Sequence, residues 1–113
     1  MTIITDTLTL NELKKMAAQM FGNMVKAVVD VERELLAVDA ELHADLEALL
    51  LEAGSKQHNL WGINLYPELS GEALIEFDSM INMRPSQGNK SRGVEKSEIR
   101  GKIAAIVAKK ITR

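Results

Sequence analysis

Arg84 and Arg92 bracket the segment Arg84-Pro85-Ser86-Gln87-Gly88-Asn89-Lys90-Ser91-Arg92, in which most side chains carry hydrogen-bonding groups. A guanidinium grips a phosphate or carboxylate through two parallel hydrogen bonds. Gly88 would let the backbone approach a ligand closely. Ser86, Gln87, Asn89, Lys90 and Ser91 add donors. The chemistry suited to this composition is anion recognition, helped by the following helix N-terminus if the loop folds back on it. The Gly-x-x-x-x-Gly-Lys-Ser/Thr spacing of a P-loop is missing. The competing reading is a solvated connection in which Arg84 pairs with Asp78 or Glu76.

A second set is the polar strand face of Asn64, Glu76, Asp78 and Asn82. Glu76 and Asp78 are two apart, so on a strand they point the same way. Paired carboxylates do acid–base work when their surroundings separate their pKa values. The plainer reading is the wet side of a sheet.

Glu41, His43, Asp45 and Glu47 form a third set, offering metal ligands or a histidine base oriented by a carboxylate. On a helix, positions two apart diverge, and His43 would pair with Glu47 as an exposed i,i+4 contact. On a strand or loop, His43 and Asp45 would share a side. No serine sits in a recognisable nucleophile turn. Cysteine is absent and there are two histidines. That removes disulfides and thiolate ligands and argues against an imidazole-rich zinc centre. No metal site is expected, and no cofactor is implied.

Charge is divided along the chain. Residues 1–83 hold 5 Lys/Arg against 14 Asp/Glu, a net of −9, whereas residues 84–113 hold 9 against 2, a net of +7. Lys102, Lys109 and Arg113 fall in one sector of a C-terminal helix and, with Lys90 and Arg92, could meet the phosphates of a nucleic acid. The alternative is a set of cations balancing a helix C-terminus. Phe21, Trp61, Tyr66 and Phe77 are the only aromatic residues, and most look like core, which argues against recognition by base stacking. An acidic body facing a neighbour's basic tail would instead make a homo-oligomer.

The elements that must position these groups can be read from periodicity. The length of 113 residues, with 46% hydrophobic and 27% charged, suits a single domain over residues 1–113 with a real core. Residues 2–8 are β-branched and read as an edge strand. Thr9 and Glu12 have capping-box spacing, and Leu10, Leu13, Met16, Ala17, Met20 and Phe21 make a helical stripe closed by Gly22. Met24–Val31 alternates and, with Leu35–Val38, predicts a hairpin. Residues 41–53 fit a helix better than a buried strand. Residues 61–66 predict a strand ended by Pro67, and 73–83 a long strand. Ile99, Ile103, Ile106 and Val107 mark a last helix of three to four turns.

The expected core is Leu13, Met20, Val29, Trp61, Ile63, Phe77, Ile81, Ile103 and Ile106. No leading segment resembles a secretory signal and no apolar run approaches a bilayer span, so the cytoplasm is the expected location and no membrane partner is expected.

Leu60-Trp61-Gly62-Ile63-Asn64-Leu65-Tyr66-Pro67 and the stretch from Ile81 through Arg84-Pro85-Ser86-Gln87-Gly88-Asn89-Lys90-Ser91-Arg92 to Glu95 resemble a family of short prokaryotic proteins classed as a domain of unknown function. Met24–Glu32 and Glu41–Asp45 fit the same pattern. Asp39-Ala40 departs from it, standing where the family is associated with a Gly-Gly pair. The resemblance implies no activity and no assigned site.

The sequence therefore predicts an α+β fold: a predominantly antiparallel sheet of four or five strands, with two or three helices packed on one face. The even-numbered strand residues would be open or form a partner surface. The expected function is binding of an anionic ligand (a nucleotide, RNA or an acidic partner) through Arg84–Arg92 and the basic C-terminal helix. The alternatives are a small enzyme using Glu76/Asp78 or His43/Asp45 near Arg84, and a homo-oligomeric interaction protein.

Overall fold

The computed structural model describes all of residues 1–113. Thr9 opens the first helix, α1 (Leu10–Gln19), with a complete capping box: its hydroxyl accepts from the Glu12 N–H at 3.1 Å, and Glu12 accepts from the Thr9 N–H at 3.2 Å. The stripe of α1 buries Leu13 and Ala17. Met20 lies at the C-cap and is 41% exposed, so it leaves the expected core.

Seven strands and two further helices complete the chain. They are β1 (Thr2–Ile4), β2 (Leu8–Thr9), β3 (Val25–Asp30), β4 (Leu35–Val38), α2 (His43–Glu52), β5 (Leu60–Leu65), β6 (Ile75–Glu76), α3 (Ser97–Lys110) and β7 (Ile111–Thr112). The fold is α+β. The main sheet has the order β1-β4-β3-β5-β6, with every neighbouring pair antiparallel. A small second sheet pairs β2 with β7 in parallel and ties the chain's ends together. The predicted edge strand at 2–8 is therefore two short strands in different sheets.

The helices lie on both faces of the sheet, where one face was expected. Leu13, Ala17, Ile103, Ile106 and Val107 from α1 and α3 pack on Val25, Ala27, Val29, Trp61, Ile63 and Leu65. Leu46 and Leu50 of α2 pack on Val28, Ala37 and Leu60 from the opposite side. Connection geometry accounts for this. β1 and β3 are parallel with β4 between them, and β4 and β5 are parallel with β3 between them. Both crossovers move the same way across the sheet, but their strands run in opposite directions. A common hand of crossover then sends α1 and α2 to opposite faces.

The predicted long strand at 73–83 is also corrected. Only Ile75 and Glu76 pair with β5, against Leu65 and Asn64. Ser79 then turns the chain: its Oγ accepts from the Ile81 N–H at 3.3 Å, and Met80–Asn82 forms a 3-10 turn. The next place beside β5 is taken by the Asn82 amide, which accepts from Gly62 N–H at 2.8 Å and donates to Gly62 O at 2.9 Å. A primary amide here supplies the donor and acceptor that a neighbouring strand's backbone would offer. The turn lies so close that a Cβ on Gly62 would sit 2.5 Å from the Ser79 Cβ. As a result Phe77 and Ile81 are half-buried, and Ile81 packs on the α2 side.

Asp39 has φ 76°, a conformation glycine adopts freely. The departure from Gly-Gly therefore puts a side chain on a left-handed residue. No helix is long and apolar enough to cross a membrane.

Candidate functional site

The 84–92 loop is folded mostly onto itself. Arg84 and Asn89 exchange backbone hydrogen bonds of 2.8 and 3.2 Å, and Gly88 closes the turn in the left-handed region at φ 80°. Asn89 is 4% exposed. Its Nδ2 donates to the carbonyls of Asn82 and Gly93 at 2.7 and 2.8 Å, and its Oδ1 accepts from the Glu95 N–H at 2.9 Å. Gln87 Nε2 donates to His58 O at 3.3 Å. The backbone N–H groups of Lys90 and Ser91 both donate to Glu95 Oε2, at 2.6 and 2.9 Å. These bonds hold the Glu95 carboxyl below its usual range. Ser86, Lys90, Ser91 and Arg92 are exposed.

The competing reading paired Arg84 with Asp78 or Glu76. Arg84 turns instead across Trp61, its guanidinium 4.2 Å from the ring centroid. It donates to Gln57 O at 2.6 Å and to Leu60 O. The strand expected to aim it at the carboxylates ends at Glu76, which is why the alternation fails. Burial lowers its pKa, and the nearby Glu47 carboxylate opposes that shift. Arg92 is the arginine that pairs with Asp78, at 2.7 Å.

The basic helix is also partly engaged. Lys109 pairs with Glu34 at 2.6 Å, Lys110 donates to Thr5 O at 2.9 Å, and Arg100 donates to Val94 O at 2.6 Å.

The residues that do converge come from different sets. A cavity of about 380 Å³ opens between the N-terminus of α2 and the β5–β6 end of the sheet. His43, Asn64, Glu76, Asp78, Arg92 and Lys26 line it. Lys26 stands opposite Asn64 in the β3–β5 register and Glu76 opposite it in the β5–β6 register, so the sheet sets all three side by side. Met24, Leu42 and Met80 form an apolar rim, with Leu42 56% and Met80 63% exposed. Sequence reasoning missed Lys26, because its place beside Asn64 depends on strand register. Asp45 is exposed and Asn82 is used by Gly62, so neither lines the cavity.

His43 is 8% exposed, and the expected surface pairing with Glu47 is absent. Its Nε2 lies 2.8 Å from Ile63 O. A carbonyl only accepts, so Nε2 carries the proton and the lone pair of the neutral ring is on Nδ1. Burial lowers the His43 pKa, as does Lys26, while the Ile63 carbonyl, Asp78 and Asn64 oppose the shift.

Asn64, 5% exposed, donates through Nδ2 to Glu76 Oε1 at 2.8 Å and to Asp78 O at 3.3 Å. Tyr66 Oη donates to the same Glu76 oxygen at 3.0 Å. Asn64 Oδ1 is buried and has no partner. No side-chain cluster suited to holding a metal ion is present.

No curated protein and no solved structure matches the chain significantly. The family described as proteins of unknown function, DUF5674, matches residues 2–110, and the chain belongs to that family.

Proposed function

We propose that this protein is a small-molecule-binding module whose ligand occupies the cavity between the α2 N-terminus and the β5–β6 end of the sheet. One observation carries the reading. The cavity brings a buried imidazole and a buried amide oxygen with no partner together with two carboxylates and two cations. Unpaired polar atoms in a dry fold cost stability unless a ligand or water meets them. Concave sites with a few convergent polar groups inside an apolar rim are the usual form of small-molecule sites.

In this reading the ligand lies in the cavity rather than on the 84–92 loop. Arg92 is the part of the 84–92 loop that reaches the cavity. Arg84, Gln87 and Asn89 act as its scaffold, and Glu95 already occupies the backbone donors of Lys90 and Ser91. The test is a fragment screen followed by amide chemical shifts in 15N-labelled protein. Hits should move His43, Ala44, Asn64 and Asp78. Hits that move Lys90 and Ser91 and leave Asn64 unmoved would return the site to the loop.

The neutral His43 ring also supports a second reading, a small enzyme with His43 as general base. A lone pair on Nδ1 in a cavity wall can take a proton from a bound molecule. Diethyl pyrocarbonate, which acylates neutral imidazole, should then modify His43 as well as exposed His58, and a cavity ligand should protect only His43. Modification of His58 alone would remove the enzymatic reading.

A further inference from the structure

Asn64 decides what kind of group the cavity receives. The orientation of a primary amide follows from its partners. Both partners on one side of Asn64, Glu76 Oε1 and the Asp78 carbonyl, are acceptors. Nδ2 must therefore point to them, and Oδ1 must be the atom left over. That oxygen is buried without a partner. The neighbouring imidazole does not relieve it, because the single N–H of neutral His43 is used on Ile63 O. Nδ1 of His43 is then a second acceptor beside the first. Asp78 places one carboxylate oxygen on Arg92, and Glu76 places one on Asn64 and Tyr66. Each carboxylate keeps a further oxygen able to accept.

The cations do not fill this deficit of donors. Arg92 gives only its Nε–H to Asp78 and its side chain is 54% exposed, while the Lys26 ammonium lies 5.3 Å from the Phe21 ring centroid; neither donates to Asn64 Oδ1. The formal charges of Lys26, Arg92, Glu76 and Asp78 also cancel, so net charge selects neither a cation nor an anion. Among the buried atoms of the cavity wall, the unmet requirement is for an N–H or O–H donor. Above them stands an apolar rim, where Leu42 and Met80 are more than half exposed.

Resting on the small-molecule reading above, we infer that the cavity recognises compounds that enter with a planar N–H donor group, an amide, amidine or amino-heterocycle edge. That group bonds to Asn64 Oδ1 and the adjacent acceptors while an apolar body lies against Leu42, Met24 and Met80. A buried acceptor rejects a ligand that brings another acceptor, because both are then left unpaired.

Three probes of one shape test this: benzamidine, benzamide and benzoate, each titrated at millimolar concentration into 15N-labelled protein. Benzamidine and benzamide present N–H donors, and benzoate presents only acceptors on the same ring. The first two should shift the amides of His43, Asn64 and Asp78, with benzoate weaker by at least about tenfold. Asn64→Leu should reduce the binding of both donor probes by a similar factor. The comparison among probes in the unaltered protein stands even if that variant folds poorly. Benzoate shifting the cavity amides as well as benzamide would overturn the donor inference while upholding the cavity. Failure of all three rings to move any cavity amide, with fragment hits mapping elsewhere, would overturn both.

Discussion

The Arg84 guanidinium lies over the Trp61 ring, 4.2 Å from its centroid, and donates to the carbonyls of Gln57 and Leu60. One planar cation thus joins the 84–92 loop to the start of β5. A lysine ammonium keeps the charge but loses the planar fork that reaches both carbonyls. Arg84→Lys should therefore destabilise the fold by about 1–3 kcal/mol, the range for hydrogen bonds from a charged donor plus a cation–π contact. Urea unfolding followed by Trp61 fluorescence reads the loss directly. A variant with an unchanged midpoint would show that the contact contributes nothing.

Asn82 standing in for a strand makes a sharper prediction. It is fully buried and satisfies both backbone groups of Gly62 as well as the Arg92 carbonyl. Asn82→Ala leaves Gly62 N–H and C=O without partners and should cost about 2–5 kcal/mol. Gly62→Ala acts on the same junction from the other side. Its new Cβ would meet Ser79 Cβ at 2.5 Å and Oγ at 2.6 Å, an overpacking expected to cost about 1–3 kcal/mol. Because the two sites touch, the double variant should cost less than the two single costs combined. Simple additivity in chemical denaturation would mean that they are independent.

These two residues also mark the boundary of what the sequence discloses. Local signals were legible: the Thr9–Glu12 capping box, the stripe of α1, the β3–β4 hairpin and the helical spacing of 43–52 all depend on residues a few positions apart. Asn64, Glu76 and Asp78 were grouped from alternation, yet only Glu76 is on a strand beside Asn64; Asp78 joins them from beyond the end of β6. Asn82 shared that alternation but serves Gly62, twenty positions back, by competing with a strand for its backbone. Periodicity has no means of registering such competition. His43 likewise is fixed by the Ile63 carbonyl, on a different element. The placement of α2 on the second face follows from strand order, and strand order is a long-range property. The 84–92 loop was conspicuous because it is polar, but polarity does not distinguish donors offered to a ligand from donors already used within the fold.

His43 gives a dependence of stability on pH. Burial is the main cause of its lowered pKa in the folded state, with Lys26 adding to the shift and the Ile63 carbonyl, Asp78 and Asn64 opposing it. Glu76 and Arg92 also face the cavity. As pH falls through the ordinary histidine value of about 6.5, the unfolded chain takes up a proton that the folded chain still refuses. The stabilisation is therefore complete above that value. It declines as pH falls towards the folded pKa and is constant below it. The slope from this one group is at most about 1.4 kcal/mol per pH unit. Urea midpoints of the parent and His43→Gln between neutral and mildly acidic pH should diverge in this sense. Parallel curves would mean that His43 titrates alike in both states.

Glu95 provides the test of the anion-binding character first suggested by the loop. Its carboxylate accepts from the N–H groups of Lys90 and Ser91, and its own N–H donates to Asn89. The loop thus carries an internal anion where an external one was expected. Because the folded pKa of Glu95 is lowered, this contribution is present above the ordinary glutamate value and is lost as pH falls through the folded pKa. Glu95→Ala should free the two N–H groups, and their hydrogen exchange should accelerate while exchange in β3 and β5 stays slow. The emptied donor pair, with Lys90 and Arg92 beside it, should then accept inorganic phosphate. Phosphate would raise the melting temperature of Glu95→Ala more than that of the parent at equal ionic strength, because a ligand that binds only the folded state stabilises it. Chloride at the same ionic strength separates this effect from screening. Equal phosphate responses in variant and parent would mean that the Lys90–Ser91 edge has no affinity for anions beyond its own glutamate.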